Sequence, residues 1–551
     1  MSLEGLIARF AGGWRGPAIA ALIAFIAGAP GVFAAPPLDR DESRFAQATA
    51  QMLETGDFVV IRYQDQPRFK KPVGIHWLQA ASVEALSSPE ARAIWAYRIP
   101  SLLGAMLAAA ACAWGAAAFF GGPTGLVAGG LLGSSLLLST EALIAKTDAA
   151  LCGFTTLAMA ALARFYAAGR EAQPGRWTWF AFWFGLAAAT LIKGPVGPLV
   201  VGLAFATLAI CDRRLGWAAA LRPYWGLLLV AAVVGPWAFA VTVATDGAFW
   251  SAAIVGDLAP KLAGGQETHG APPGYHTLLA PLLTFPMTLL LPAAAVGAWR
   301  GRAEPGVRFA LCWLVPGFLV FELTPTKLVH YPLPVYGAVA WLAAAALFAP
   351  IGRVARRGGA VLAGLVGVAL AAAVASLATT YGDPTDAPAA IIAAGLLAAA
   401  GLVGAYMLWR GAALGATTWA TGLTVLGHAV LIAGLAPRLE PLWLSQRTEA
   451  VMARAKLLPR QGLADAPVAV AGYAEPSLVF ALGSDTQLDD ADEAAAAIAD
   501  RRPAVVEARQ AAAFKAALAR RGVTAVEVGR VAGVDYSNGD DMRLSIYRAA
   551  P

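Results

Sequence analysis

Apolar residues run through this chain in stretches of about 20, parted by short polar breaks and a few longer loops. That length lets a helix cross a hydrocarbon core, so the pattern predicts roughly 13 spans. They begin near residues 17, 93, 123, 149, 177, 195, 222, 276, 306, 332, 358, 388 and 416. Only Lys193-Gly194-Pro195 divides the fifth from the sixth, with glycine and proline ending one helix and opening the next. The first run, Pro17 to Ala35, carries a small-residue end like that of a signal peptide at Val32-Phe33-Ala34. It is long for such a peptide and many spans follow, so a retained helix is the expectation. Beyond about Glu440 the runs become short. Val468–Ala471, Ala504–Val506 and segments near Thr524 and Leu544 read as strands; Asp490–Arg501 and Gln510–Arg521 read as helices. The chain therefore divides into a membrane domain, 1–439, and a small α/β domain, 440–551.

Composition agrees: 58% of the 551 residues are hydrophobic and 14% charged, against about a quarter charged in soluble proteins. The net charge of +6 does not point to nucleic acid, because the basic residues lie in short loops and form no folded patch. Cys112, Cys152, Cys211 and Cys312 lie in or beside apolar runs without paired spacing and read as small core residues. Neither a P-loop nor a dinucleotide fingerprint is present.

Arginines distribute unevenly among the loops. Arg9 and Arg15, Arg164 to Arg176, Arg213 to Arg222, Arg300 to Arg308, Arg353 to Arg357 and Arg410 all fall on one side of the predicted spans. By the positive-inside rule that side is cytoplasmic, and an odd number of spans puts the C-terminal domain outside. The opposite side gathers the loop 36–92, Glu141 to Asp148, Lys193, the loop 245–275, Glu322 to His330, Asp383 and Asp386. Ionisable groups thus converge outside the cytoplasm while the span interiors stay almost uncharged.

The first outer loop reads Asp39-Arg40-Asp41-Glu42-Ser43-Arg44-Phe45, then an amphipathic stretch to Thr55, then Gly56-Asp57-Phe58, then Arg68-Phe69-Lys70-Lys71-Pro72 ahead of Ile75-His76-Trp77. An acid pair, an arginine and two lysines before an interfacial helix suit a polyprenyl phosphate; a solvated loop with snorkelling lysines would look the same. This order resembles the first periplasmic loop of the aminoarabinose transferase and protein O-mannosyltransferase superfamily, bacterial glycosyltransferases of the GT-C type. Lys146-Thr147-Asp148, Lys193-Gly194-Pro195, Pro325-Thr326-Lys327-Leu328-Val329-His330-Tyr331 and Tyr536-Ser537-Asn538-Gly539 extend the resemblance over nearly the whole chain.

The resemblance implies a polytopic GT-C membrane protein of the bacterial inner membrane. It implies catalytic roles for Asp41, beside the acceptor nucleophile, and for Asp148, with Glu42 as the neighbouring candidate. Arg44 and Lys71 match donor-phosphate positions, to which Lys193, Lys327 and Tyr331 are added. In the aminoarabinose transferases a glutamate before the Lys-Pro helps ligate a metal. Here that position is Lys70, which leaves a divalent metal as an open possibility. Glu267 and His269 are further metal candidates; without a third ligand at obvious spacing, a hydrogen-bonded loop histidine is the better account of His269, and of His276 nearby. His330 fits an interfacial anchor or a donor contact equally well.

The expected reaction is inverting transfer of a sugar from a polyprenyl phosphate to lipid A, another envelope glycan or a protein. Asp41 would serve as general base, and Lys71 with Arg44 would stabilise the leaving phosphate. A lipid-sugar flippase or transporter would place ionisable groups at the bilayer midplane and repeat its broken helices, and neither feature is visible. A sensor built on the C-terminal domain leaves the first loop unexplained.

Overall fold

The structure is a computed structural model that describes residues 2–38, 40–169, 174–213, 215–263 and 270–550. A helix lies at or within a few residues of every expected span start. Among the described residues, eight helices are long and apolar enough to cross a membrane, and a ninth span results if Tyr275–Leu283 and Met287–Arg300, bent 112° from each other, count as one. Val196–Asp212 and Leu333–Leu347 are apolar but shorter. The figure of roughly 13 is nonetheless recognisable in the chain path. The 40-residue helix Ile94–Gly133 is two helices joined at Gly121, whose φ is +81°. Its halves run back along each other so closely that a Cβ on Gly125 would lie 2.6 Å from the Ala113 carbonyl oxygen, and one on Gly129 2.5 Å from that of Ala109.

Leu227, Leu228, Phe239, Leu365 and Ile391 are exposed on the outside of the bundle. A row of such residues is stable only where the solvent is lipid. Arg15–Ala34 packs into the bundle through Ala20, Ala24, Ala27 and Val32.

The first loop is ordered by its own hydrogen bonds. The amphipathic stretch is a helix, Arg40–Thr55, and the aromatic one a second helix, Gly74–Leu86. The Thr49 hydroxyl donates to Gln79 Oε1 (2.7 Å) and pairs with His76 Nδ1 (2.8 Å), fastening one helix to the other. Burial pushes the His76 imidazole down to about 3, so it stays neutral in this contact. Between them Asp57 accepts from the backbone N–H of Val59 and of Val60, 3.0 Å each, closing the Gly-Asp-Phe turn. A short hairpin, β1 (Arg62–Tyr63) and β2 (Gln66–Pro67), completes the loop.

The C-terminal domain holds a five-stranded mixed sheet in the order β4-β3-β5-β7-β6, with β3 Ala469–Ala471, β4 Gln487–Asp489, β5 Ala504–Glu507, β6 Ala525–Val534 and β7 Asp541–Ala549. Alternation along the strands sorts its faces: Val470, Val505, Leu544 and Ile546 join one core, Ala471, Ala504, Val506 and Tyr547 the other. Asp490 caps Ala491–Ala499 through a capping box with Glu493. Strand β4 and the helices Leu444–Arg454 and Pro476–Leu482 were not expected from the sequence; all are short, with weak periodicity. This domain sits on the first loop. Gln47 donates to Ser484 (2.8 Å), Arg460 to the Glu90 carbonyl (2.8 Å), Arg40 pairs with Glu475 (3.4 Å), and Tyr97 meets Phe480 edge-on at 5.4 Å.

Candidate active site

A buried knot sets the loop's starting point. Arg98 is fully buried and uses every guanidinium nitrogen. Its Nε donates to Glu42 Oε1 (2.7 Å) and its Nη2 to Glu42 Oε2 (3.0 Å); Nη1 and Nη2 also reach the carbonyls of Ala35 (2.6 Å) and Pro36 (2.8 Å). Glu42 further accepts from the backbone N–H of Leu38 (2.9 Å) and of Ala145 (2.8 Å). Three segments meet there: the end of the first span, the start of Arg40–Thr55 and the run into Asp148. Glu42, a candidate catalytic residue by sequence, is therefore a structural anion enclosed by its partners, and it does not line the cavity described next.

Asp41, one residue earlier and about 100° around the helix, does line it. The cavity, of about 120 Å³, is bounded by Asp41, Arg44, Arg68, Lys70, Lys71, Lys146, Asp148, Lys193, Lys261, His330 and Tyr331 among others. Arg44 lies 3.2 Å and Arg68 3.7 Å from Asp41 Oδ1. Burial works to raise the Asp41 carboxyl, but the guanidiniums of Arg68 and Arg44 outweigh it and hold the group below the ordinary carboxylate value. Lys71 and Lys261 share Asp257, at 3.3 and 2.6 Å. Burial, with Lys261 and Lys193 against it and Asp257 in its favour, brings the Lys71 amine down to about 8.

Asp148 arrives as the first residue of Asp148–Ala168. That helix presses on Ile94–Gly133 where a Cβ on Gly104 would come within 2.5 Å of Ala150 Cα, and one on Gly153 within 2.5 Å of the Gly104 carbonyl oxygen. Lys193 is the last residue of its helix, released by Gly194 at φ +59°. Its amine bonds Asp148 and stands 5.6 Å over the Tyr331 ring. His330 Nε2 is 3.5 Å from Asp148 Oδ2, and burial drives this imidazole well below its ordinary value.

The expected donor residues do not all gather here. Lys327 is buried outside the cavity and donates to the carbonyls of Glu322 (2.8 Å) and Thr324, capping the end of Pro305–Leu323. In this structure it serves as a helix cap and does not line the cavity. Glu267 and His269 lie outside the described residues. His276 is satisfied by Glu322 (3.1 Å) and the Leu328 carbonyl (3.0 Å). Arg68, Asp257, Lys261 and Glu141 join the site without a role legible in the sequence; Arg68 stands within the Arg-Phe-Lys-Lys-Pro run, and the other three have only their place in the outer loops.

Glu141, Asp148 and His330 each bring a ligand atom within 4.8 Å of the other two, a composition that suits a divalent metal. Lysines already hold that space, however: Lys146 Nζ is 3.3 Å from Glu141 Oε1 and 3.5 Å from His330 Nδ1, while Lys193 is on Asp148. As arranged, the set does not fit a divalent ion.

The family model for dolichyl-phosphate-mannose-protein mannosyltransferase (PMT) matches residues 31–250, from the first loop to the helix ahead of Asp257. The undecaprenyl phosphate-alpha-4-amino-4-deoxy-L-arabinose arabinosyl transferase of Aeromonas salmonicida (strain A449) is 28% identical over 309 residues, 55% of each chain. That of Shewanella sediminis (strain HAW-EB3) is 29% identical over 301 residues, 53% of each. The alignments thus span about half the length of these relatives. The crystal structure of ArnT from Cupriavidus metallidurans bound to undecaprenyl phosphate has the same architecture, with a TM-score of 0.75 at 19% identity over 99% of this chain and 98% of that one. The family match covers the segments that carry Asp41, Arg44, Lys71, Asp148 and Lys193, and the chain has the polytopic GT-C fold of ArnT from end to end.

Proposed function

We propose that this protein transfers a sugar from a polyprenyl phosphate to an extracytoplasmic acceptor, lipid A or another envelope glycan, with inversion at the anomeric carbon. The observation that carries the reading is one small cavity in which Arg44 and Arg68 pair with Asp41, Lys193 pairs with Asp148, and Lys71 stands in the same wall. Such a cavity can take an anionic leaving group on its cations and an acceptor hydroxyl on an acid. Arg44 is positioned to exchange Asp41 for the donor phosphate. Losing that cation and gaining a nearby anion raises the basicity of Asp41 once donor is bound. Asp41 then takes the acceptor proton as its oxygen attacks the anomeric carbon, and the carbon–oxygen bond to the phosphate breaks in the same displacement. Lys71 and Lys193 meet the charge that develops on the phosphate. Because the donor carries its own leaving group, no nucleotide is required.

Comparison of envelope glycans from a deletion strain with its parent tests this directly. Loss of one pentose, hexose or uronic acid, restored by the intact gene but not by Asp41→Asn, is the expected result. Unchanged glycans and lipid A would overturn it.

Lys71 gives a pH-dependent prediction. Only its ammonium form attracts a phosphodiester, and phosphate binding raises its pKa. Donor affinity is therefore flat below about pH 8 and falls above it, by at most about tenfold per pH unit. Lys71→Ala should weaken donor binding about 10- to 100-fold and abolish this limb. Titration of undecaprenyl phosphate into nanodisc-embedded protein from pH 6.5 to 9.5 measures both.

The arginine-rich loops support a cavity and a C-terminal domain outside the cytoplasm. Alkaline phosphatase fused after Ala550 is expected to be active and a fusion at Arg357 inactive; the reverse pattern would overturn the sidedness.

A further inference from the structure

Glu141 and Asp148, at the two ends of one short connection, and His330 from a distant one would, with nothing among them, form a three-ligand metal site. Their surroundings are closed: Glu141, Lys146 and Asp148 are 3, 5 and 4% exposed. The chain sends its own cation into this space. Lys146 Nζ touches Glu141 (3.3 Å) and His330 Nδ1 (3.5 Å), so the imidazole lone pair that a metal would use faces an ammonium proton. His330 turns its other nitrogen toward Asp148, whose carboxylate is also held by Lys193. Two ammoniums already balance two carboxylates. A divalent ion bound by the same atoms would add two positive charges beside Lys146 at a place where these side chains are nearly buried and charges are weakly screened. An independent position agrees, since the cavity wall carries Lys70, a residue that repels a metal, immediately before Lys71.

We infer that Lys146 is a built-in cation in the place of a divalent metal, and that the Glu141–Asp148–His330 set is a metal site closed by this lysine. The ammonium holds Glu141 and His330 at fixed distance and leaves Asp148 to Lys193, which keeps the leaving-group side of the cavity positively charged without an exchangeable ion. Lys146 is thus a positioning residue, and its role is measurable apart from sugar transfer.

The test is the metal content of the full chain in nanodiscs. Protein stripped with chelator is incubated with Zn²⁺ or Mn²⁺, desalted and assayed by mass spectrometry. The intact protein is expected to retain far less than one ion per chain. Lys146→Met removes the charge at similar length and is expected to retain about one zinc per chain, lost again when His330→Ala is added. Lys146→Arg, which keeps the charge, is expected to stay metal-free. Lys146→Gln serves in place of methionine if that variant fails to give a monodisperse protein. Stoichiometric metal in the intact protein, removed by Asp148→Asn or His330→Ala, would overturn the inference. So would a folded Lys146→Met or Lys146→Gln that takes up no more metal than the parent. EDTA should also leave turnover of the intact enzyme unchanged. That last arm rests on the proposed transfer reaction, whereas metal content does not, so the two can fail separately.

Discussion

Asp41→Asn is expected to lower kcat by about 10²–10⁴-fold, the range in which a positioned general base acts. The substitution preserves shape and removes both the charge and the proton acceptor. It also frees Arg44 and Arg68, which now lie 3.2 and 3.7 Å from the carboxylate. Donor affinity should therefore hold or rise while turnover collapses, the signature of an interaction made only in the transition state. Because the two guanidiniums depress the Asp41 pKa, its base form is present above that value and is lost only as pH falls through it. In the free enzyme, read by kcat/KM, the acid limb from Asp41 accordingly lies below the ordinary carboxylate range, whereas in the donor complex, read by kcat, the loss of Arg44 moves it up. Purified variants in nanodiscs, matched for thermal stability and assayed for donor binding and turnover, give the answer. A folded Asp41→Asn protein with normal turnover would remove Asp41 from the mechanism and leave Asp148 as the remaining acid in the cavity.

The second large effect is on folding. Arg98→Ala strands the Glu42 carboxylate in a site with no access to water, and breaking a buried pair in this way costs about 3–5 kcal/mol. Adding Glu42→Leu to Arg98→Met removes both charges but should recover only part of that loss. The carbonyls of Ala35 and Pro36 and the N–H groups of Leu38 and Ala145 would still lack partners. Denaturation in mixed detergent micelles, following tryptophan fluorescence, measures all three. A neutral Arg98→Ala would mean that the knot does not hold the loop. Turnover should fall with stability here, unlike in Asp41→Asn, because Asp41 and Ala145 are both placed by this contact.

The membrane architecture was legible because lipid imposes one requirement, an apolar run of fixed length, and each run is local in sequence. The loop helices were legible for the same local reason, with Thr49, His76 and Gln79 confirming their pairing only in three dimensions. Asp41, Arg44, Lys71, Asp148, Lys193 and Tyr331 could be singled out through motif resemblance, and they do share one cavity. Which acid of the Asp-Glu pair faces that cavity could not be read, since the answer depends on Arg98, 56 residues from Glu42. Lys327 could not be placed for a similar reason. A lysine near a span end reads as a phosphate ligand or as a cap, and only the orientation of the Glu322 and Thr324 carbonyls decides. Glu141 and His330 are 189 positions apart in the numbering, with no periodicity linking them, and Lys146 between them looked like part of a simple Lys-Thr-Asp motif.

The contacts from Arg40 to Glu475, Gln47 to Ser484 and Gln64 to the Thr486 carbonyl join the first loop to the last domain. During synthesis the two are separated by more than 400 residues, because chains emerge from the N-terminus onward. The helix bearing Asp41 thus enters the membrane surface early and waits without its brace until the final strands have been made and have folded. Ribosomes that stall, or messages cut short, yield chains whose loop has nothing to lean on. The shape of the loop that carries Asp41 is thus tied to the folding of a domain made much later.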